Sequence, residues 1–426
     1  MNRRQFLFGL GVAGASSLVY AGYKFWPEQG LINPCLSALP SDVLESPLMQ
    51  QVWQGIDANQ AWDSHVHLVG TGDSQSTSAN KGVWFNPSMD SNWHPILKVQ
   101  KKIYMNGTCA TDSNIDQSAV QRMAQLTSEM PVGFKLMLFA FDWFHDAHGK
   151  PDQAHSIFHI SNEYTAKIAS EHSHYFEWVA SIHPYRADAI DAIDAIDAID
   201  AIDAIDAIDA IEKAKTQGAR AIKWLPQGMG IDPASAKCDA FYNACARLSI
   251  PIICHTGRES AVQGGSQDDA NPLKLRRALD AGVRIVLAHC ASDGEDIDYD
   301  NGNKKIKSFD LFLRLMKAPQ YKNLLFGEIS AITLVNHAWA IQPLLEHTDL
   351  HSRLLNGSDY PLPAILPIVS LKQLVSKNLL DESHIDFLKA VRLYNPIMFD
   401  FALKRLLRFE GCAFPKNVFE TKRFFA

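Results

Sequence analysis

The chain reads as an α/β protein, a closed (β/α)8 barrel of the TIM type with a cap insertion after the first strand and extra C-terminal helices. Three observations predict this. Eight short runs are apolar on both faces or nearly so, as buried parallel strands are. Amphipathic segments separate most of them. Several of the runs end in a single polar side chain, which suits the rim of a barrel. The next alternative is a doubly wound open sheet, but no G-x-G-x-x-G follows the first run.

Residues 1–30 come first. MNRRQFLFGLGVAGASSLVYAGY sets Arg3-Arg4 before Phe6-Leu7 and a Gly/Ala-rich apolar run. The run is about 17 residues long, short for a spanning helix. It resembles a twin-arginine export leader, with Ala21-Gly22 as the candidate cleavage point. Such leaders serve proteins that fold before crossing the membrane, often with a cofactor already loaded. The expectation is a periplasmic protein. An uncleaved leader would make it inner-membrane anchored, the only membrane contact expected. Residues 31–60, with Pro34, Pro40 and Pro47, form an irregular approach segment.

The barrel proper is expected over 61–365. Its strand candidates are 61–70, 134–141, 178–184, 219–226, 250–257, 284–292, 324–332 and 353–361. Helical patterns such as SAVQRMAQLTSEM, CDAFYNACARLS, NPLKLRRALDAG and SFDLFLRLMKA lie between them. Residues 70–133 are too long for one strand–helix connection and are expected to cap the barrel mouth. Residues 366–426 form a C-terminal helical extension. Trp62, Trp143 and Trp224 flank strand ends and read as packing residues.

Residues 188–211 are eight copies of Asp-Ala-Ile, placed in the third barrel helix. A barrel helix needs only about 10 to 14 residues. A period of three also walks Ile around the helix, by about 60° per copy. Six extra copies make 18 residues, about five full turns at 3.6 per turn, so phase survives the expansion. The run holds no nucleophile and lacks the glycine turn of acidic calcium loops. It is expected to interrupt the barrel helix and to carry no chemistry.

At 426 residues, 47% hydrophobic and 20% charged, the composition is globular. Without the eight repeat aspartates the formal net charge of −7 would be +1. No basic track for nucleic acid exists. The cysteine count, seven, is odd and has no C-x-x-C pair, so neither a zinc ribbon nor a disulfide framework is expected. Cys254 and Cys290 read as reduced core residues.

The chemistry starts at Asp63-Ser-His65-Val-His67. In a strand, positions i and i+2 share a face, so two imidazoles stand side by side, as a metal requires. A second H-x-H, His172 and His174, falls in polar EHSHYF and reads as surface. Further polar ends join the first pair: Lys223 late in the fourth strand, His255 ending the fifth, His289 the sixth and Asp359 the eighth. A barrel gathers these ends on one rim. His183, Arg258 and Glu328 are weaker candidates for substrate binding, with Glu328 also a candidate to hold a ligand imidazole.

With these residues in this order, the sequence resembles the amidohydrolase superfamily, in its amidohydrolase-related branch, over roughly residues 60–365. The resemblance implies a divalent metal, usually zinc, held by His65, His67, His255 and Asp359. One ion is preferred and two are allowed, Lys223 bridging them if carbamylated. It implies that the metal lowers the pKa of a bound water toward about 7, that Asp359 takes the water's proton, and that His289 polarises the substrate carbonyl. The expected activity is hydrolysis of an amide, ester or lactone of a small molecule. The alternatives are a non-oxidative decarboxylase on the same site and a non-catalytic metal-binding protein. A homo-oligomer is compatible with the sequence.

Overall fold

A computed structural model describes residues 28–73, 82–110, 113–186, 199–259, 261, 262 and 264–426. The leader and the first part of the Asp-Ala-Ile run, up to residue 198, lie outside the described residues.

Eight parallel strands carry the fold: β1 (Trp62–His67), β2 (Lys135–Phe139), β3 (Phe176–Val179), β4 (Ile222–Trp224), β5 (Ile252–His255), β6 (Ile285–Ala288), β7 (Leu325–Glu328) and β8 (Leu354–Leu355). β1, β2 and β3 pair in one ladder, and β4 through β8 in another. Two seams join the ladders into a closed cylinder. Ala180 bridges Ile222 at one seam, where Lys223 N–H donates to Ala180 O at 2.7 Å. At the other, Val66 bridges Tyr360, His67 N–H donates to Tyr360 O at 2.9 Å, and Asp359 N–H donates to His65 O at 2.9 Å. Closure leaves no unpaired edge, and the eight expected strands are all present.

Alternation sorts the side chains. Met137, Phe139, Val179, Ala221, Ile253, Val286, Ala288 and Leu355 fill the barrel interior together with Trp62. Their neighbours Leu136, Leu138, Ile222, Trp224, Ile252, Cys254, Ile285 and Leu287 face the helices. Phe424 and Phe425, at the end of the C-terminal extension, join the interior cluster with Trp62 and Phe326. Burying each ring contributes about 1.5–3 kcal/mol, so the last residues of the chain belong to the barrel core.

The ring of helices includes α1 (Pro95–Thr108), α2 (Ile115–Ser128), α3 (Asn162–Glu171), α4 (Ile199–Thr216), α5 (Asp239–Arg247) and α6 (Arg276–Asp280). It continues through α7 (Ser308–Lys317), α8 (Ile341–Glu346), α9 (Ile385–Tyr394) and α10 (Pro396–Leu406). α2 covers the expected SAVQRMAQLTSEM pattern, so only the part of 70–133 before it is insertion. That part includes a short strand, Val83–Phe85, and α1. The strand pairs antiparallel with Phe158–Ile160, in a second insertion after β2 that the sequence pattern did not reveal. α1 lies against the rim: Gln100 Nε2 donates to Ala261 O at 2.7 Å, and Gly107 packs beside Pro361.

The described part of the repeat, from Ile199, is helical and runs on into α4. Of its side chains, Ala207 and Ile211 are buried, and Ala214 beyond the run extends the stripe. These positions step i, i+4, i+7, the ordinary spacing of one docked helix face.

One expectation is overturned. Cys35 and Cys109 form a disulfide, with Cα atoms 5.5 Å apart across a sequence separation of 74. It ties the approach segment to the end of α1. Asn33 and Asn106 reinforce the junction: Asn33 N–H donates to Asn106 Oδ1 at 2.9 Å, and Asn106 Nδ2 donates back to Asn33 O at 3.2 Å. No local motif marks such a long-range pair, which is why spacing alone missed it. Cys254 and Cys290 are free and buried, as expected.

Candidate active site

The β1–β2 ladder slips in register between Asp63 and Val66. A slip of one residue exchanges the faces of a strand. Before it Trp62 points into the barrel; after it Val66 packs outward. The slip is therefore what turns His65 and His67 inward together, onto Phe139 of β2.

The two imidazoles meet Asp359. His65 Nε2 lies 3.2 Å from His67 Nε2, and Asp359 Oδ1 lies 3.5 Å and 3.2 Å from these two nitrogens. His289 Nε2 approaches Asp359 Oδ2 at 3.7 Å. Lys223 Nζ stands 3.3 Å from His65 Nε2 and 5.0 Å from the centre of the Phe139 ring. The His255 ring packs edge-on against His289, with centroids 5.3 Å apart, and its buried Nε2 has no hydrogen-bond partner.

The other face of each imidazole is held. His65 Nδ1 bonds Glu328 Oε2 at 2.5 Å, and Ser64 Oγ and Ser330 Oγ donate to the same carboxylate at 2.6 and 2.7 Å. His289 Nδ1 pairs with Ser330 Oγ at 2.9 Å. Both rings thus keep Nε2 for the site, the arrangement that orients metal-ligating histidines. His289 and Asp359 adopt φ of 57° and 60°, in the left-handed region that side chains avoid. Local strain of this kind concentrates at functional sites.

Burial sets the charges. It pushes His65, His255 and His289 below the ordinary histidine value, with nearby Lys223 adding to the effect. It also lowers Lys223 and raises Glu328. Burial would raise Asp359 too, but His65, His67 and Lys223 outweigh it and hold the carboxyl well below the usual carboxylate range. Neutral imidazoles facing one ionised carboxylate are the donors a divalent cation needs. Donors bound at about 2.0–2.2 Å to one ion must lie roughly 3.0–3.5 Å from one another. The His65, His67 and Asp359 separations fall in that range, His289 offers a ligand atom within 4.8 Å of those of His65 and Asp359, and His255 adds a buried nitrogen with no hydrogen-bond partner next to the His289 ring. The residues therefore fit a metal.

The three substrate-binding candidates sit otherwise. His183 is fully buried, with Met229 O 2.9 Å from its Nε2 and Tyr185 N–H donating to its Nδ1 at 3.1 Å, so both ring nitrogens are taken within the fold. Glu328 spends its carboxylate on Ser64, His65 and Ser330, and holds a histidine instead of a substrate. Arg258 is exposed, its N–H tied to Asp293 O at 2.9 Å. His172 and His174 lie beyond the end of α3, half-buried and exposed. Trp62 and Trp224 are buried, and Trp143 stacks on His159 at 4.0 Å. Sequence reasoning missed Ser64 and Ser330. Ser64 sits between strand histidine and aspartate, and Ser330 two residues past Glu328, but a serine carries no signal until its partner is known.

A closed parallel barrel with histidines and an aspartate at the C-terminal strand ends defines a TIM-barrel enzyme built for a cation. The amidohydrolase family matches residues 144–365, just over half of the chain, and the chain belongs to it. The matched span contains Lys223, His255, His289 and Asp359; His65 and His67 precede it and reach the site through closure of the barrel. The chain is similar to a TIM-barrel protein from Bordetella bronchiseptica, at 15% identity over 72% of this chain and 88% of that one, with a TM-score of 0.44. It is similar to a candidate 2-pyrone-4,6-dicarboxylic acid hydrolase from Pseudomonas putida, at 14% over 81% and 98%, TM-score 0.41. It is also similar to 5-carboxyvanillate decarboxylase from Sphingomonas paucimobilis, at 12% over 80% and 98%, TM-score 0.38. No curated protein matches the chain. The family match and the chain's own barrel carry the assignment.

Proposed function

We propose that this enzyme is a metal-dependent hydrolase that directs water onto an amide, ester or lactone carbonyl of a small molecule. The observation that carries the reading is the meeting of His65 Nε2, His67 Nε2 and Asp359 Oδ1 within 3.2–3.5 Å at the barrel mouth. His65, His67, His255 and Asp359 hold one divalent ion, with zinc the first choice. When bound, such an ion acidifies water toward pKa about 7 and polarises a carbonyl. Asp359, kept ionised by its histidine neighbours, takes the proton from the attacking water and delivers it to the leaving group. His289, fixed through Ser330, faces the same space and accepts from the attacking water through Nε2, orienting it. Lys223 remains an amine beside the site; a carbamylated Lys223 would bring a second ion and would show as the mass of one added CO2.

We further propose export by the twin-arginine route to the periplasm. The Arg3-Arg4 leader motivates this, and the Cys35–Cys109 disulfide supports it, since such bonds persist in oxidising compartments. The test of function is metal analysis of the purified protein followed by a substrate panel. One bound ion, lost in His67→Ala, with ester or lactone turnover abolished in Asp359→Asn, is the expected result. CO2 release from a carboxylic acid without water uptake would assign a decarboxylase instead. An ion-free wild-type protein would overturn both.

A further inference from the structure

Four residues beyond His255, the loop leaving β5 turns a carboxylate back at the site. Glu259 Oε2 lies 3.5 Å from His255 Nε2, the nitrogen with no hydrogen-bond partner. Both side chains are only 9% exposed. The other oxygen of Glu259 is occupied: Oε1 accepts from the Ala261 and Val262 N–H groups, the latter at 3.0 Å. Gln267 locks the same turn, accepting from Glu259 N–H at 3.1 Å and donating to Glu259 O at 2.9 Å. Gln100 of α1 closes over it through Ala261 O. The loop thus aims one free carboxylate oxygen at a buried, unpartnered imidazole nitrogen.

That separation equals the His65–Asp359 separation and suits two donors on one ion. A carboxylate oxygen and an imidazole nitrogen held 3.5 Å apart in a buried place, with no closer hydrogen-bond contact between them, are placed to share a third group. We propose that Glu259 supplies a second carboxylate ligand to the metal centre beside His255, giving an ion sphere of more than four protein donors that includes two carboxylates. The inference rests on the metal reading above. It predicts a site that suits ions accepting five or six nitrogen and oxygen donors, such as Mn2+ or Co2+, at least as readily as four-coordinate Zn2+. The two carboxylates also balance the charge of a single divalent cation.

The experiment uses the full chain, stripped and reloaded with Co2+, alongside chelator competition for Zn2+ and Mn2+. In Glu259→Gln the retained oxygen still accepts from Ala261 and Val262, so the loop keeps its lock. In Glu259→Ala nothing can block His255. Both variants are expected to bind each ion at least tenfold more weakly. Their Co2+ visible absorption should intensify, as it does when a high-coordinate ion loses a ligand. Wild-type affinity and an unchanged Co2+ spectrum in both variants, with binding still lost in His67→Ala, would overturn the role of Glu259 while leaving the metal reading intact. No ion uptake by the wild type would sink both.

Discussion

Glu328 acts on the site entirely through another residue. Its carboxylate fixes the ring of His65 through Nδ1 and so decides which nitrogen is offered. Glu328→Gln is expected to weaken metal affinity about 10- to 100-fold without unfolding the barrel, measured by chelator competition beside a circular dichroism control. Gly357 is as constrained: a Cβ there would stand 2.7 Å from His65 Cβ and 3.0 Å from Glu328 Oε1. Gly357→Ala should push His65 off its partner and lose metal with it, read as sub-stoichiometric metal content. Acid tests the imidazoles. Burial keeps His65, His255 and His289 below the ordinary value of 6.5. In the folded protein they therefore stay neutral at pH 6.5, whereas in the unfolded chain they take up protons below that value. Their contribution to stability is present above pH 6.5 and is lost as pH falls beneath it. Proton competition with the metal at the ligands His65 and His255 is shifted to lower pH than at an ordinary histidine, so metal titrations should keep their affinity further into the acid range than an exposed histidine site would.

At the scale of elements, among the described side chains of the Asp-Ala-Ile run Ala207 and Ile211, from its last two copies, are the docked ones. Deleting residues 188–205 removes six copies and keeps both contacts and helical phase. Metal content and turnover within about twofold of wild type are expected, compared by metal analysis and steady-state assay; loss of the ion would show that the extra copies matter. The disulfide predicts the opposite kind of effect. Closing a loop across 74 residues contributes up to about 4 kcal/mol in the chain-entropy view. Cys109→Ser should lower the thermal midpoint, and the same shift should follow reduction of the wild type. These two elements also divide what the sequence could disclose. The repeat's position followed from strand order, and its phase from 3.6 residues per turn. The Cys35–Cys109 link and the Val83–Phe85 strand, paired with a segment more than seventy residues on, depend on contacts that no local pattern encodes.

The barrel was legible because several strand ends carry their own chemical label. His65-x-His67, His255, His289 and Asp359 occupy separate strands, and a closed parallel cylinder has only one way to bring them together. Less legible was everything that depends on neighbours: the register slip in β1 that turns two histidines inward, Ser64 and Ser330, and the inward carboxylate of Glu259. An isolated serine or glutamate has too many ordinary uses for its position to speak alone. The apolar interior, with Phe424 and Phe425 packed against Trp62, should hold the fold without metal. A chelated protein is expected to keep its far-ultraviolet spectrum while its stability falls by about 4 kcal/mol relative to protein held at ion levels a thousand times the Kd, seen as a lower melting temperature.

Barrel closure also fixes when the site comes into being. Asp63 accepts from Ser358 N–H across a sequence separation of 295 residues, and the histidine pair and Asp359 flank that one contact. A ribosome must therefore release almost the whole polypeptide before the first strand finds its last partner. Nascent or C-terminally shortened chains would display His65 and His67 with nothing opposite them, so acquisition of the ion belongs to the final moments of maturation.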